Sequence, residues 1–330
     1  MLRTSPGSMT LLLALSTCCA APVSSAFAAD NAYPVKPVQL VVPFPPGGVT
    51  DALARVLAQA LSGPLGQSVV VLNKPGASGM IAAESVKVAP PDGYTLLMGH
   101  IGTHAVNPAL YPKITYRPID DFTPISLVAS TPVMLLVSSK VPAKSISELI
   151  ALAKQKPGRL NYASFGAGSS SHLYAELFKN AAELDITHVP YKGPSPAMQD
   201  LIGGQVDMMF DTVASSLPQI KAGNVRALAV ASAERVPLAR DVPTFKELGM
   251  GQLDGGPWFG LFAPRATPPD VIARLETEVR KALANEQVAQ ALQVQGIRIV
   301  GSTGGELATF QNEEMRRWAA LIKKFDIHVD

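Results

Sequence analysis

VQLVVPFPPGGVTDALARVLAQALS, at Val38–Ser62, predicts a β-strand, a turn and an α-helix in succession. Val38, Leu40, Val41 and Val42 are residues that favour strands, and the prolines that follow them cannot continue a strand ladder. From Asp51 onward the apolar residues recur every three or four positions, which indicates one buried helix face. We expect Thr50 or Asp51 to cap this helix and Gly63-Pro64 to end it.

The turn between this strand and this helix contains Gly47 and Gly48, which have no Cβ atom to block a ligand. The free N–H groups of a helix start point into such a gap. They stabilise an anion by roughly 0.3–1 kcal/mol at an exposed site. The turn therefore predicts an anion-binding site built from backbone.

A second segment has the same layout. Leu160–Phe165 reads as a strand, Gly166–His172 as a turn rich in glycine and serine, and Leu173–Ala182 as a helix. We hypothesise that the fold brings this helix start up against the first one and holds a carboxylate between them.

Strands alternate with helices along the chain, which predicts mostly parallel α/β sheets with ligands beyond the carboxyl ends of the strands. The apolar stretch Ile125–Val137 is interrupted at Thr131-Pro132 and could carry the chain from one domain into another, with Pro257–Phe262 as the return. We therefore expect one domain from residues 29–130 plus 257–330, and a second from residues 131–256.

The composition excludes some classes of protein. A chain of 330 residues, 47% of them hydrophobic, is long enough for two packed domains. The formal net charge is only +2 and there is no long run of Lys or Arg, so a nucleic-acid surface is not expected.

Residues 1–28 have the features of a secretory signal peptide. Arg3 is basic, Leu11–Leu15 is apolar, and Ala26-Phe27-Ala28 is a small-x-small cleavage site. Both cysteines, Cys18 and Cys19, lie in this segment, so the mature chain would form no disulfide. Lipidation at Cys18 is disfavoured by the threonine before it. These features predict export to a bacterial periplasm, without a membrane anchor.

Two enzymatic interpretations of the glycine- and serine-rich turn compete with a binding role. Ser169–Ser171 lie beside His172, with Asp211 elsewhere, which suggests a secreted serine hydrolase. No G-x-S-x-G elbow is present, and the positive end of a helix opposes an imidazolium, so a binding role is favoured. Gly166-Ala167-Gly168 lacks the third glycine of a dinucleotide fingerprint, which disfavours a nucleotide-binding enzyme.

Several other polar residues follow strands. Gly99–Pro112 is expected to be an irregular loop in which His100 and His104 are ordinary loop residues and no metal site forms. Tyr191 follows a strand and could face a cleft. Asp211 could either hold a loop N–H or accept from a ligand, and the sequence leaves this choice open.

Over nearly its full length the sequence resembles the solute receptors of tripartite tricarboxylate transporters, also called Bug or TctC-like proteins. The motifs that carry the resemblance are VPFPPGGVTDALAR at 42–55, NKPGASG at 73–79, PDGYTLL at 91–97, NYASFGAGSSSHLYAELFK at 161–179, HVPYKGPSPAMQDLIGGQVDMMFD at 188–211, VRALAVAS at 225–232, DVPT at 241–244 and WFGLFAP at 258–264.

The resemblance implies an α/β, two-domain, type II-like periplasmic-binding-protein fold. Each domain would be a mostly parallel sheet flanked by helices, with the ligand cleft between the domains. It also implies a monomeric receptor that is not an enzyme and needs no cofactor. Its ligand would be a small organic carboxylate and its partners the subunits of a membrane transporter, while some such receptors instead signal to a sensor kinase.

In this family one ligand carboxylate is typically held, partly through ordered water, by the loop matching Phe44–Asp51. The loop matching Gly166–His172 faces it, and Asp211-Thr212 lies nearby. The ligand-binding residues expected from the resemblance and the sequence together are Phe44, Gly47, Gly48, Val49, Thr50, Asp51, Ser78, Ser164, Gly166, Gly168, Ser169, Ser170, His172, Tyr191, Asp211 and Thr212.

Overall fold

The computed structural model describes residues 33–166 and 168–328, and the predicted signal peptide, residues 1–28, lies outside the described residues. The strands of the described part are β1 (Val38–Val42), β2 (Val69–Asn73), β3 (Thr95–His100), β4 (Phe122–Ser130), β5 (Val133–Ser138), β6 (Asn161–Ser164), β7 (Thr187–Pro190), β8 (Met208–Thr212), β9 (Val225–Ala231), β10 (Trp258–Pro264) and β11 (Arg298–Ile299).

The helices of the same residues flank these strands, and none of them is long and apolar enough to cross a bilayer. They are α1 (Val49–Leu65), α2 (Met80–Lys87), α3 (Asn107–Leu110), α4 (Ile146–Gln155), α5 (Ser170–Ala181), α6 (Pro194–Gly203), α7 (Val213–Lys221), α8 (Pro269–Ala284), α9 (Glu286–Gln293) and α10 (Gly304–Lys324).

The strands form two sheets. The first has the order β11-β4-β10-β3-β1-β2 and the second the order β7-β6-β8-β5-β9. Strands β1, β2 and β3 are parallel, as are β6, β7 and β8. The strands β5 and β10, which follow the two crossings, run antiparallel to their neighbours. Strand β10 lies between β3 and β4, in the interior of the first sheet.

The chain passes from the first sheet to the second at Thr131-Pro132 and comes back at Pro257. The two crossing segments run side by side, because the amide of Thr131 donates to the carbonyl of Pro257 at 2.8 Å. Gly256 is required at this contact, since a Cβ atom there would lie 2.4 Å from the carbonyl oxygen of Thr131. The backbone therefore passes between the sheets in two adjacent, hydrogen-bonded segments.

Helix α1 differs from the prediction at both ends. Gly48, with extended backbone, is its N-cap and no side chain caps it, so Thr50 and Asp51 lie inside the first turn and are buried. Pro64 lies within the last turn, and the helix ends at Gly66, which is left-handed with φ +67° and donates its N–H to Gly63. A proline near a helix end removes a single hydrogen bond, whereas Gly66 reverses the chain.

The segment 99–112 was wrongly expected to be an irregular loop. Strand β3 continues to His100, a π-helical turn covers Gly102–Val106, and α3 follows. His100 and His104 are buried rather than loop-exposed. Gly99 and Gly102 make this packing possible, because a Cβ atom at either would lie 2.7 Å or less from a histidine ring. Gly99 and Gly102 therefore allow close packing of the histidine rings against the backbone.

Candidate ligand-binding site

The first candidate loop runs from the end of β1 to the start of α1. Gly47 has φ +90°, which favours glycine, and a Cβ atom at Gly47 or Gly48 would meet nothing within 4 Å. The start of α1 has no side-chain cap. The backbone at this helix start is therefore open on the side where the glycines lie, which is the arrangement that accepts an anion.

Asp51 holds this loop in place. One carboxylate oxygen accepts from the amide of Gly47 at 3.0 Å and from Nε of Arg55 at 2.8 Å. The other accepts from Nδ2 of Asn73 at 2.9 Å, and the same amide group donates to the carbonyl of Phe44 at 3.0 Å. The Arg55 hydrogen bond lowers the pKa of Asp51 to about 2. Asp51 thus braces the loop with both oxygens.

A neighbouring loop, Gly76–Gly79, follows β2. A Cβ atom at Gly79 would lie only 3.1 Å from Cβ of Pro43, so this loop packs closely against the start of the first one. Ser78 Oγ lies 2.7 Å from the hydroxyl of Tyr111, and the Ser78 carbonyl accepts from Asn107. The structure therefore brings Ser78 close to the Phe44 end of the first loop, but its hydroxyl is already paired.

The second candidate loop precedes α5. Ser169 is the N-cap: its Oγ accepts from the amide of His172 and donates to the carbonyl of Gly166 at 2.6 Å. Oγ of Ser171 accepts from the amide of Phe165 at 2.9 Å. Among the serines of this loop, only Ser170 has a hydroxyl that bonds to no described residue. Ser170 is therefore the hydroxyl best placed to serve a ligand.

Two histidine rings, those of His172 and His188, form hydrogen bonds that hold this loop. His172 Nδ1 accepts from the amide of Gly168 at 3.2 Å, and burial lowers the pKa of His172, which keeps Nδ1 available as an acceptor. Oγ of Ser164 lies 2.6 Å from Nε2 of His188 and accepts from the amide of Gly166. The His172 and His188 rings stack at 4.4 Å. His188 is the first residue of the motif at 188–211, but it was not among the predicted ligand-binding residues, because it lies within a strand rather than in a loop after one.

Three further predicted residues lie around the end of the second sheet. The hydroxyl of Tyr191 donates to Asp200 at 2.7 Å, and burial raises the pKa of Tyr191 to about 12. Asp211 is 4% exposed, with Oδ1 accepting from the amide of Thr212 at 2.7 Å. Burial raises the pKa of Asp211 to about 6. Thr212 is the N-cap of α7, and its hydroxyl pairs with that of Ser215.

Strand register shows at which sheet edges the two loops lie. In the first sheet, His100 at the end of β3 is opposite Phe259, next to the return crossing, and β1 runs parallel to β3. In the second sheet, Thr212 at the end of β8 is opposite Val133, next to the outward crossing, and β6 runs parallel to β8. Both loops therefore follow strand ends at the edges that the crossing segments join.

A cavity of about 380 Å³ lies elsewhere, beside the crossing segments. Ser130, Trp258, Glu314 and Arg317 contribute to its lining, and none of the predicted site residues does so. No hydrogen bond joins the two candidate loops within the described ranges 33–166 and 168–328. Each loop is thus held by hydrogen bonds of its own within the described residues.

Comparison with known proteins decides the family. Residues 53–327 match the model of the tripartite tricarboxylate transporter family receptor. The chain belongs to this receptor family. The earlier resemblance is confirmed, and with it the prediction of a receptor that is not an enzyme.

Solved structures of similar proteins confirm the two-domain periplasmic-binding-protein fold of the receptor. The periplasmic binding protein BugD is 36% identical, with 90% of this chain and 100% of that chain covered and a TM-score of 0.80. The R. palustris protein Rpa4515, solved with adipate, is 38% identical with coverages of 90% and 100% and a TM-score of 0.82. MatC from Rhodopseudomonas palustris, solved with malate, is 39% identical with coverages of 88% and 100% and a TM-score of 0.78.

The serine hydrolase alternative has no support in the receptor family or in the site. The ring of His172 bonds to the backbone of Gly168, and no described serine hydroxyl bonds to it. Ser164, which does pair with a histidine ring, is 0% exposed and out of reach of a substrate. A nucleophile and its base must be paired at an accessible surface.

Proposed function

We propose that this receptor captures a small organic carboxylate between the loop Phe44–Asp51 and the loop Gly166–His172. The observation that carries the proposal is the pair of helix starts with glycine-rich backbone, at the sheet edges joined by the crossing segments. Two relatives of 38% and 39% identity were solved with the dicarboxylates adipate and malate, which supports this ligand class.

The binding chemistry would need no catalytic group. Backbone N–H groups and hydroxyls donate charge-assisted hydrogen bonds to a carboxylate, each worth about 1.5–3 kcal/mol. The amides of Gly48, Val49 and Thr50 would be the donors of the first helix start, and the amide and hydroxyl of Ser170 those of the second. Gly47, Gly168 and Ser169 would shape the two loops, because they already donate to Asp51, His172 and Gly166. Asp51 and Ser164 would act mainly by fixing these loops, since their side chains are already engaged.

Ligand capture would be coupled to closure of two domains. The proposed boundaries are residues 29–130 plus 257–330 for one domain and 131–256 for the other, because the two adjacent crossing segments suit a hinge. Closure excludes water, and this strengthens the electrostatic interactions at the ligand. The closed receptor would then deliver its ligand, as a monomer, to the transporter's membrane subunits. A sensor kinase is the alternative partner.

The proposed location is the periplasm, reached through the signal peptide at residues 1–28. The test is mass spectrometry of the protein recovered from a periplasmic extract. We expect a mature amino terminus at Ala29. A protein that stays in the cell with residues 1–28 attached would contradict this part of the proposal.

A thermal-shift screen of carboxylates, including malate and adipate, tests the ligand class. A ligand present at 100 times its Kd raises the free energy of unfolding by about 2.7 kcal/mol, which gives a clear increase in Tm. Hits are then measured by titration calorimetry. A screen in which sugars or cations raise the Tm and no carboxylate does so would refute the proposal.

Gly48→Val tests the site itself. The backbone of Gly48 has φ −84°, and a Cβ atom there meets nothing within 4 Å, so the variant should fold with an unchanged Tm. Its side chain would fill the gap at the helix start, and we expect a loss of affinity of at least tenfold. Gly63→Ala, also open within 4 Å but at the other end of α1, is the matched control. Equal affinity of the two variants would place the ligand elsewhere.

A further inference from the structure

His100 lies where three strand ends of the first sheet come together. It is the last residue of β3, which pairs with β10 and lies beside β1. Its ring centroid is 4.6 Å from that of Phe44, in the first candidate loop. The Nε2 atom faces Gly79, where a Cβ atom would lie 3.0 Å away. The imidazole therefore sits between the two loops that follow β1 and β2.

The hydrogen bonds of His100 determine which nitrogen carries the proton. The amide of Gly102 donates to Nδ1 at 2.9 Å, so Nδ1 must present a lone pair. Burial lowers the pKa of His100 to about 3, and the ring is therefore neutral at pH 7. A neutral imidazole with an acceptor at Nδ1 carries its proton on Nε2, which makes Nε2–H a donor.

This donor lacks an acceptor. His100 is 8% exposed, and no residue in the described ranges accepts a hydrogen bond from Nε2. Leaving a buried donor unpaired costs about 1–3 kcal/mol, and native proteins rarely tolerate it without a reason. An oxygen atom of a bound anion is the kind of partner that the donor lacks.

The loop that covers Nε2 is under backbone strain. Gly76, Ala77, Ser78 and Gly79 all have positive φ, at 127°, 45°, 53° and 86°. Ala77 and Ser78 carry Cβ atoms, and the left-handed conformation costs such residues roughly 1–2 kcal/mol each. The strain is therefore concentrated at Ala77 and Ser78, next to the residue that faces Nε2.

We propose that His100 is a ligand-binding residue, whose Nε2–H donates a hydrogen bond to an oxygen of the bound carboxylate once the loop Gly76–Gly79 moves aside. This inference rests on the proposed function and adds a neutral side-chain donor to the two backbone helix starts. It assigns a specificity role as well, because an anion without an oxygen on the β3 side would leave the donor unpaired.

His104 provides an internal comparison. It too is fully buried with Nε2 unpaired among the described residues, but its ring stacks on Phe262 at 3.8 Å and contacts Phe122 edge-on. Those aromatic partners belong to a buried core cluster, and neither is a residue of the candidate loops. His104 is therefore expected to affect stability and not ligand affinity.

Two amide substitutions separate the two nitrogens of His100. The Oδ1 atom of His100→Asn can still accept from Gly102, but the variant has no donor at the Nε2 position. The Nε2 atom of His100→Gln replaces the ring donor, while the bond from Gly102 is lost. Titration calorimetry with malate and with adipate measures the affinity, and Tm measures the fold.

We expect a Kd raised about 10- to 100-fold in His100→Asn, the loss expected for one hydrogen bond to a charged group, with a Tm near that of the unsubstituted protein. His100→Gln should bind within about threefold and melt at a lower temperature. Unchanged affinity of His100→Asn, or losses of affinity that simply follow Tm in both variants, would overturn the proposal.

Imidazole ¹⁵N NMR tests the same residue without any ligand. We expect the His100 signals of a neutral ring protonated on Nε2. A ring protonated on Nδ1, or on both nitrogens at pH 7, would overturn the proposal. If the unsubstituted protein binds no carboxylate, the proposed function fails, and the NMR result still decides whether His100 presents the donor on which the inference depends.

Discussion

Asp211 is a buried carboxylate whose protonation should affect stability. It lies at the end of β8 with 4% exposure, and burial raises its pKa from 3.8 to about 6. The folded protein therefore holds this proton more tightly than the unfolded chain does between about pH 4 and pH 6. As the pH rises through that range, the free energy of unfolding should fall.

Asp211→Asn should consequently stabilise the protein at pH 7.5 by roughly 1–3 kcal/mol and have much less effect at pH 4. Thermal unfolding at the two pH values measures the difference. The exposed Asp241 gives the control, because Asp241→Asn should change Tm little at either pH. Stabilisation of Asp211→Asn that is the same at both pH values would contradict the prediction. A simultaneous loss of carboxylate affinity would place Asp211 in the binding site.

At the scale of elements, the unit of β1, its loop and α1 depends on Asp51. Asp51→Ala removes the acceptor of Gly47, Arg55 and Asn73, and leaves the Gly47 amide without that partner. We expect a loss of roughly 1–3 kcal/mol in the free energy of unfolding and weaker ligand binding, since the loop geometry would relax. Urea unfolding and calorimetry measure the two effects.

The pKa of Asp51 adds a pH dependence to this prediction. It is lowered from 3.8 to about 2, so the stabilisation by Asp51 is complete above about pH 4 and is lost as the pH falls toward 2. The difference in stability between the unsubstituted protein and Asp51→Ala should therefore shrink in acid. A difference in the free energy of unfolding that stays constant down to pH 2 would contradict the proposed role of the ionised Asp51 in holding the loop.

The two strand-loop-helix units could be predicted because each is encoded by consecutive residues. The strand, loop and helix around Gly47, and the similar unit around Ser169, are each encoded by neighbouring residues with a clear change of period. The role of Asp51 depends instead on Asn73, 22 positions away, which the parallel register of β1 and β2 brings opposite Val42. Pairing over such a distance has no signal in a single sequence.

The histidines illustrate the same limit. The glycines near His100 and His104 favoured an irregular loop, because glycine commonly marks turns. In the structure these glycines allow the two rings to pack against backbone. Burial, the proton on Nε2 and the missing acceptor of His100 all result from contacts with Phe44, Gly79 and Gly102, which only the folded chain brings together.

For the whole molecule, the two tryptophans provide a probe of closure. Nε1 of Trp258 and Nε1 of Trp318 both donate to Oε2 of Glu314 at 3.1 Å. Arg317 pairs with the other oxygen of Glu314 and donates to the carbonyl of Asp254 at 2.6 Å. This network ties α10 to the segment that returns into β10, close to the proposed hinge.

Closure should therefore change the fluorescence of Trp258 more than that of Trp318, because Trp258 directly follows the return crossing while Trp318 lies on α10. The variants Trp318→Phe and Trp258→Phe each leave a single tryptophan, as the chain has two. Titration with a carboxylate that binds by calorimetry should shift the emission mainly in Trp318→Phe. Equal shifts of emission in the two variants, or no shift in either, would contradict the prediction that closure changes the surroundings of Trp258.

The placement of β10 between β3 and β4 constrains the order in which the molecule can assemble. A ribosome produces β3 and β4 long before it reaches residue 258, and each of these strands pairs with β10 rather than with the other. The amino-terminal portion would thus remain without its middle strand during most of synthesis. The first sheet can therefore be completed only after β10 has been synthesised, so an unfinished chain lacks the contacts that close this sheet.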